Sequence, residues 1–390
     1  MERLTKPTEY NVEDSNIALL GSDLEKNVRE HAGDREPAWD EAGKKVGLEI
    51  WRIEQFHVVS WPKEKYGVFY DGDSYVVLHT YKKDAKAEAL SYDLHFWLGA
   101  KTSQDEAATA AYKTVELDDH LDGLPVQYRE VQSFESGRFL TYFARFTCLH
   151  GGVSTGFHHV SAPPPMNVHI LYQIATVPHL ASTARPHISV RQVSPDPSSL
   201  IKGDVFVLDL GEKVLQFNTK DSSGKERFFA AEFVQSIMDG RPAHCELTVC
   251  DEGGQGSGIF LSALGIDSLP SRKDTASPLA SDETPTLSLY RISDSSGALT
   301  FEAVSPPEKV ALSSSDVFLV DASQLASAPA VYVWIGNQAS FSEKRHAVQF
   351  AQGYLHDQKA KGRRVSPAIS IVKLREGHEN SAFLEAFQKK

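Results

Sequence analysis

A serine followed three residues later by a glutamate occurs at the start of three predicted helices in this 390-residue chain. The three pairs are Ser103 with Glu106, Ser223 with Glu226, and Ser340 with Glu343. In such a capping box the serine oxygen accepts a backbone N–H, and the glutamate reaches back to the N–H of the N-cap residue. This helix chemistry explains the pattern completely. The alternative is that each glutamate also binds a metal ion.

An aspartate stands at the start of an earlier strand in each of the same three units, at Asp73, Asp204 and Asp316. Two carboxylates and a backbone carbonyl would form the kind of oxygen cage that calcium prefers. One oxygen of a carboxylate can meet a metal while the other accepts a hydrogen bond, so capping and metal binding do not exclude each other. The spacing does not match the calcium loop of an EF-hand.

The long helix predicted from Ser103 to Gly123 shows two non-polar faces. One is a stripe of small and apolar residues, and a second face holds Ala108, Tyr112, Val115 and Asp119. The second face is either partly buried in the same domain or a surface that inserts into a partner. The helix also ends in three carboxylates that oppose its macrodipole, so a cation would be stabilising there. These are Asp118, Asp119 and Asp122.

Histidines and cysteines offer a weaker metal-binding hypothesis. The stretch 147–190 holds six of the fifteen histidines, yet it contains no HExxH or CxxC spacing. A cluster of neutral or surface histidines is the default interpretation, with a zinc site as the alternative. The odd, sparse set of cysteines indicates buried thiols in a reducing compartment. They are Cys148, Cys245 and Cys250.

The composition is that of a globular protein, with 41% hydrophobic and 24% charged residues. The net charge of −12 argues against nucleic acid as a partner and suits a cation or a basic protein surface. No apolar run approaches the roughly 20 residues of a membrane span, and the N-terminus lacks the apolar core of a signal peptide. We therefore expect a soluble, cytoplasmic protein.

The three units repeat one order of elements, in which an acidic strand start is followed by an aromatic strand and a capped helix. Two polar, proline-containing stretches separate them. The predicted organisation is an N-terminal arm at 1–45, a first repeat at 46–160, a linker at 161–167, a second repeat at 168–266, a linker at 267–286 and a third repeat at 287–390.

Segments of the first unit resemble the first domain of the gelsolin/villin superfamily, and the three-unit length is closest to its severin/fragmin type. The segments are LEIWRIEQF, YGVFYDGDSYVVLHTY, YDLHFWLGAKTSQDEAATAAYKTVELDDHLDG, QYREVQSFES and GGVSTGFHHV. The resemblance is most specific in 47–160, good in 200–240 and weaker in 287–390. It implies an α+β protein of three gelsolin-like repeats. In each, a mixed β-sheet would pack between a long helix and a short helix.

The resemblance also implies a function. A protein of this family would sever actin filaments and cap their barbed ends under calcium control, acting as a cytoskeletal regulator without enzymatic activity. The partners would be actin monomers and filaments, and the protein itself a monomer. Three alternatives stay open: a capping protein that does not sever, a calcium sensor or buffer, and a metal-dependent hydrolase built on the histidine-rich segment.

The calcium ligands follow by matching the family pattern onto this chain. The internal site of the first repeat would use the Gly72 carbonyl, Asp73, Glu106 and the Val153 carbonyl. That of the second would use the Gly203 carbonyl, Asp204, Glu226 and Asp274. That of the third would use the Ser315 carbonyl, Asp316 and Glu343, and its fourth ligand is unassigned. A further calcium shared with actin would be held by Asp118 and the carbonyls of Gly123 and Pro125.

The actin contacts follow in the same way. The long helix would enter a cleft of actin through the face of Ala108, Tyr112, Val115 and Asp119. The second repeat would bind the filament side with Arg185 and Arg191. The family's basic phosphoinositide-binding clusters are replaced here by RFTCLHGG and LYQIATVPHLAS. We therefore expect weak or absent phosphoinositide binding, and the nearby histidines suggest sensitivity to pH.

Overall fold

The computed structural model describes residues 36–84, 88–152, 168–177, 187–201, 203–241, 245–254, 256–267, 269, 287–325, 329–363 and 365–388, except for the side chains of 104, 105 and 345. Most of the predicted N-terminal arm and both predicted linkers lie outside these ranges, apart from residues 267 and 269 of the second linker. Within the described ranges no helix is both long and apolar enough to cross a membrane.

The first unit contains the long capped helix and most of the strands that its sequence predicts. One predicted strand over 47–61 is instead a hairpin, because Gln55 and Phe56 have positive φ angles of 48° and 69°. The elements are β1 (Gly47–Glu54), β2 (His57–Ser60), β3 (Val68–Tyr70), β4 (Ser74–Tyr81), β5 (Ser91–Leu98), α1 (Gln104–His120), β6 (Val126–Val131), α2 (Gly137–Leu140) and β7 (Phe146–Leu149).

The second unit has two strands and a short helix that were not predicted, namely β8, β9 and α4. The glycine-rich sequence GGQGSG (253–258) is expected to form a turn; residues 253, 254 and 256 do lie in a turn or bend, whereas Ser257 and Gly258 begin the helix, which Gly256 precedes at φ 94°. The elements are β8 (Ile170–Thr176), β9 (Ile188–Val193), β10 (Val205–Asp209), β11 (Lys213–Asn218), α3 (Gly224–Asp239), β12 (Glu246–Asp251) and α4 (Ser257–Ala263).

The third unit follows its predicted elements closely. They are β13 (Ser288–Ser293), β14 (Thr300–Val304), β15 (Val317–Asp321), β16 (Val331–Ile335), α5 (Phe341–Ala360), β17 (Ile371–Arg375) and α6 (Ser381–Ala386).

The strands of different units join in two mixed sheets. One has ten strands in the order β14-β13-β15-β16-β17-β6-β5-β4-β1-β2, and the other has seven in the order β12-β11-β10-β8-β9-β7-β3. The first unit meets the third through antiparallel β6 and β17, and it meets the second through parallel β7 and β9. The α+β class and the mixed sheets agree with the prediction, whereas this sharing of sheets between units was not foreseen.

In each unit the strands pack between a long helix and a short one. In β4, Tyr75 and Val77 pack in the cluster that includes residues of α2, while Val76 and Leu78 pack against α1. This alternation follows from the two-residue period of a strand that is buried on both faces. Trp39 is fully buried on the α1 side, where its ring lies 5.1 Å from that of Trp51 in an edge-to-face arrangement.

Candidate functional site

All three predicted capping boxes are present. The serine oxygens accept the backbone N–H of the glutamates at 3.1, 3.2 and 3.1 Å, in the order of the chain. The glutamates accept the serine N–H in return at 3.5, 2.7 and 2.9 Å. Every one of these glutamates is buried. Each helix start therefore holds a carboxylate that is fixed by the helix itself and enclosed by the protein.

In the first unit, Asp73 is fully buried beside a glycine loop. Its Oδ2 accepts the Tyr75 hydroxyl at 3.2 Å and lies 3.4 Å from an Arg52 nitrogen. A Cβ on Gly152 would lie only 2.6 Å from Asp73 Oδ1, so this loop can approach the carboxylate only as glycine. The Gly72 N–H donates to the Gly151 carbonyl at 2.7 Å. These contacts bring the loop that precedes position 153 onto Asp73.

In the second unit, Glu226 is bound from a strand that the sequence analysis missed. Its Oε1 accepts the N–H of Thr176 at 2.8 Å and the hydroxyl of the same residue at 2.7 Å. The Oδ2 of Asp204 accepts the amide of Gln173 at 2.5 Å. Hydrogen bonds therefore tie both predicted carboxylates to β8.

The third unit adds a carboxylate that was not predicted. The N–H of Asp294 donates to Glu343 Oε1 at 2.9 Å, and Ser340 donates to Asp294 Oδ2 at 2.5 Å. Burial raises the pKa of Glu343; backbone hydrogen bonds oppose this rise, and the charges of Asp294 and Asp316 add to it. Asp294 directly follows the first strand of its unit, at the register position that Thr176 holds in the second, and this register is the signal that could have identified it.

The predicted shared site lies at the C-terminal end of α1. Asp118 is buried, and its Oδ1 has no hydrogen-bond partner among the described residues. Its Oδ2 lies 3.8 Å from the ammonium of Lys373 on β17. Burial raises the pKa of Asp118, while the charges of Lys373 and Arg375 and a hydrogen bond from the Gln127 side chain oppose the rise. A buried anionic oxygen without a donor is unfavourable, so the site suits a cation.

Gly123 and Pro125 stand beside this carboxylate. Gly123 has a left-handed φ of 65°, and its N–H donates to the Asp118 carbonyl at 2.7 Å. A Cβ on Gly123 would lie 2.3 Å from the guanidinium of Arg375. The first and third units therefore meet at the predicted site. The two cations were missed because they belong to a distant part of the sequence.

The helix face predicted to contact a partner is accessible to different degrees. Ala108 and Asp119 are exposed, and Tyr112 and Val115 are half-buried. In contrast, Arg191 is largely buried: it forms an ion pair with Glu135 at 2.8 Å, and its guanidinium lies over the ring of Phe146. The assigned roles of these residues stay predictions. Val153, Arg185 and Asp274 lie outside the described residues.

The histidine-rich segment does not form a metal centre in the part that is described. His150 Nδ1 lies 2.7 Å from Asp71, and His169 bonds to the carbonyl of Ala263. Among the described residues no group of three or more histidine, cysteine, aspartate or glutamate side chains is placed to hold a metal. All three cysteines are buried and free, and burial raises the pKa of Cys148 to about 12. This thiol is therefore unreactive at neutral pH.

The chain is similar to a known family along most of its length. A family model described as the gelsolin repeat matches residues 56–140, 187–259 and 303–384. "Gelsolin-like protein 1" of Lumbricus terrestris is 42% identical over 85% of this chain and 86% of its own. "Severin" of Echinococcus granulosus is 34% identical over 91% and 92%. "Actin depolymerising venom protein gelsolin 1" of Platymeris rhadamanthus is 35% identical over 89% of both chains.

Proposed function

This chain belongs to the gelsolin-repeat family, and we propose that it is a calcium-regulated protein that severs actin filaments and caps their barbed ends. The name of one relative, an actin depolymerising protein, supports actin as the partner. The proposal is of a cytoplasmic regulator of the cytoskeleton that binds actin monomers and filaments and catalyses no reaction. Its units are the three repeats and two linkers that the sequence analysis delimits.

The observation that carries the proposal is the buried, unpartnered Oδ1 of Asp118 at the end of α1. A calcium ion held by this carboxylate and by the carbonyls of Gly123 and Pro125 would supply the missing positive charge. These oxygen donors are the type that calcium prefers. An actin carboxylate would complete the shell, while Tyr112 and Val115 on the same helix would face actin.

The internal calcium sites are proposed where the capping glutamates meet the strand-start aspartates. In the first repeat the ligands are Gly72, Asp73, Glu106 and Val153. In the second they are Gly203, Asp204, Glu226 and Asp274. In the third, Ser315, Asp316 and Glu343 match, and Asp294 is the proposed fourth ligand because it lies against Glu343.

Regulation would follow from competition at the end of α1. Lys373 and Arg375 of the third repeat lie against Asp118 and Gly123, two of the residues proposed to hold the shared calcium. A ligand that binds only when the third repeat is displaced shifts the population toward the open form. Calcium would therefore favour actin binding, and chelation would favour the closed form. Phosphoinositide control is proposed to be weak.

A capping protein that does not sever is the second candidate, and one observation favours it. Severing requires the second repeat to bind the filament side. One of the two arginines assigned to that contact, Arg191, is instead paired with Glu135 in the first repeat. Unless this ion pair opens, the residue is not available to a filament.

The test is the loss of labelled actin filaments after dilution, with calcium and with a chelator. Rapid loss in calcium alone supports severing. Slowed loss in calcium indicates capping without severing. No effect on filaments under either condition, together with no binding to actin monomers, would reject the proposal and favour a calcium sensor or buffer.

A further inference from the structure

Strand β12 forms one edge of the seven-stranded sheet, and apolar residues are exposed on one of its faces. On its inner side β12 pairs in parallel with β11, and no described residue forms a strand on its outer side. Leu247 and Val249, which point to the same face of the sheet, are 40% and 50% exposed. An open edge with apolar residues is a template for pairing with another strand.

Strands β6, β12 and β17 occupy the same place in the three repeats. Each pairs in parallel with the strand that leads into the long helix of its repeat. Two of these three edges pair with each other in antiparallel register, with Tyr128 opposite Val372 at the centre. The register of each of these strands against its parallel neighbour shows that Thr248 occupies the position of Tyr128 in β6 and of Val372 in β17. The chain therefore already uses this edge to join two repeats, and no strand of the described residues pairs with the third copy of it.

The backbone of β12 is oriented for the same kind of pairing. The N–H groups of Glu246 and Glu252 donate inward to carbonyls at the ends of β11, at 2.9 and 3.0 Å. Because backbone groups alternate along a strand, Leu247 and Val249 direct their N–H and C=O groups to the open side. These positions correspond to the ones that form the hydrogen-bonded pairs between β6 and β17.

We propose that a second copy of this chain pairs with this edge, β12 against β12, about a two-fold axis through Thr248. Leu247 then lies opposite the second copy's Val249, so apolar residues meet. Glu246 lies opposite Cys250, and Asp251 lies opposite Cys245, so no like charges face each other. The contact is the same surface on both copies, as a two-fold dimer requires.

The dimer is expected to form at high protein concentration, because the strand is short and each copy carries a net charge of −12. The long-range repulsion between the copies is screened by salt, so added salt should strengthen association. This inference differs from the monomer expected from the sequence. It does not depend on actin binding.

The first test is sedimentation equilibrium over a wide concentration range. The wild type is expected to approach twice the monomer mass. Val249→Lys places a charge at the edge and should weaken dimerisation at least about tenfold. Val310→Lys is the matched control. Val310 is 88% exposed and belongs to the third unit, whose strands lie in the ten-stranded sheet, and its replacement introduces the same charge. A wild type that stays monomeric, or equal effects of the two lysines, overturns the proposal.

The second test is a symmetric disulfide. Residues directly opposite in a non-hydrogen-bonded antiparallel pair have Cα atoms about 4.5 Å apart, which is within the range for a disulfide. Thr248→Cys should therefore give a covalent dimer on mild oxidation. Glu302→Cys, on the edge strand β14, should remain monomeric under the same conditions. Equal cross-linking of the two variants, or none at position 248, contradicts the two-fold register.

Discussion

Asp118 is the residue at which burial and charge conflict most clearly. Leaving a buried charged group without a hydrogen-bond donor costs about 1–3 kcal/mol or more. The ammonium of Lys373 offsets part of this cost, but at 3.8 Å it is beyond the distance of a good hydrogen bond. The rise in the pKa of Asp118 shows that burial outweighs the neighbouring cations. The carboxylate is therefore incompletely compensated in the closed form.

Replacing Asp118 with asparagine tests the role of this charge. Asp118→Asn should weaken calcium-dependent binding of actin monomers by at least about tenfold, which corresponds to about 1.4 kcal/mol. The same change should not lower the melting temperature in chelator, because a neutral amide is easier to bury than an ionised carboxylate. Titration with labelled actin and calorimetry measure the two effects.

The matched control is Asp122→Asn. Asp122 is exposed two residues after α1, and its φ of 57° is one that asparagine tolerates. This variant loses the same charge at almost the same place and should bind actin nearly as the wild type does. Unchanged binding by Asp118→Asn would remove Asp118 from the shared site without affecting the other calcium sites.

Among the elements, the joint between β6 and β17 is small. It has three residue pairs, whereas β4 and β5 within the first repeat share eight. Side chains add a hydrogen bond from Asn380 to the Tyr128 hydroxyl at 3.0 Å and the contact of Lys373 with Asp118. Val126 and Tyr128 of β6 are also buried in a core cluster of the third unit, so opening of this joint exposes apolar side chains.

Lys373→Gln should shift the protein toward the open form. It removes the nearer of the two cations that face buried Asp118 in the closed form only, since in the open form water can solvate the carboxylate. A destabilisation of about 1 kcal/mol would change the ratio of the two forms about fivefold. We expect a larger radius of gyration by small-angle X-ray scattering in chelator, and actin binding at lower calcium concentrations.

Lys361→Gln is the control for the loss of one positive charge. Lys361 forms only an exposed ion pair with Asp357, which contributes little to stability. It should leave the radius and the calcium dependence unchanged. If Lys373→Gln also leaves both unchanged, Lys373 does not hold the closed form.

The sequence predicted elements well where local patterns determine them. The capping boxes and the strands around them followed from spacing alone. Strands β8 and β9 were missed because they lie in a histidine-rich stretch that was assigned mainly by its composition. Neither the sheets shared between units nor the approach of Lys373 to Asp118 could be predicted. Both depend on which strand edges pair between units, and the periodicity of one strand does not reveal the strand that pairs with it.

At the scale of the whole molecule, the first repeat is joined to each of its two neighbours by three residue pairs between strands and by buried side chains. Its contact with the second includes the buried pair of Glu135 and Arg191, and Val177 of the second unit packs in the core cluster of the first. In its contact with the third, Val126 and Tyr128 of the first unit pack in a core cluster of the third. The third repeat is also the one that faces Asp118, so we expect calcium to act on that contact.

The net charge of the whole molecule also predicts how the protein interacts with membranes. A net charge of −12 repels anionic lipid, and a local basic cluster is needed to overcome that repulsion. The stretch before Gly151 offers Arg145, whose guanidinium already lies over the ring of Phe233. We therefore expect little sedimentation with vesicles that contain phosphatidylinositol bisphosphate at neutral pH, hardly above that with phosphatidylcholine vesicles alone. Strong, salt-sensitive binding to the anionic vesicles would mean that a basic surface forms elsewhere on the protein.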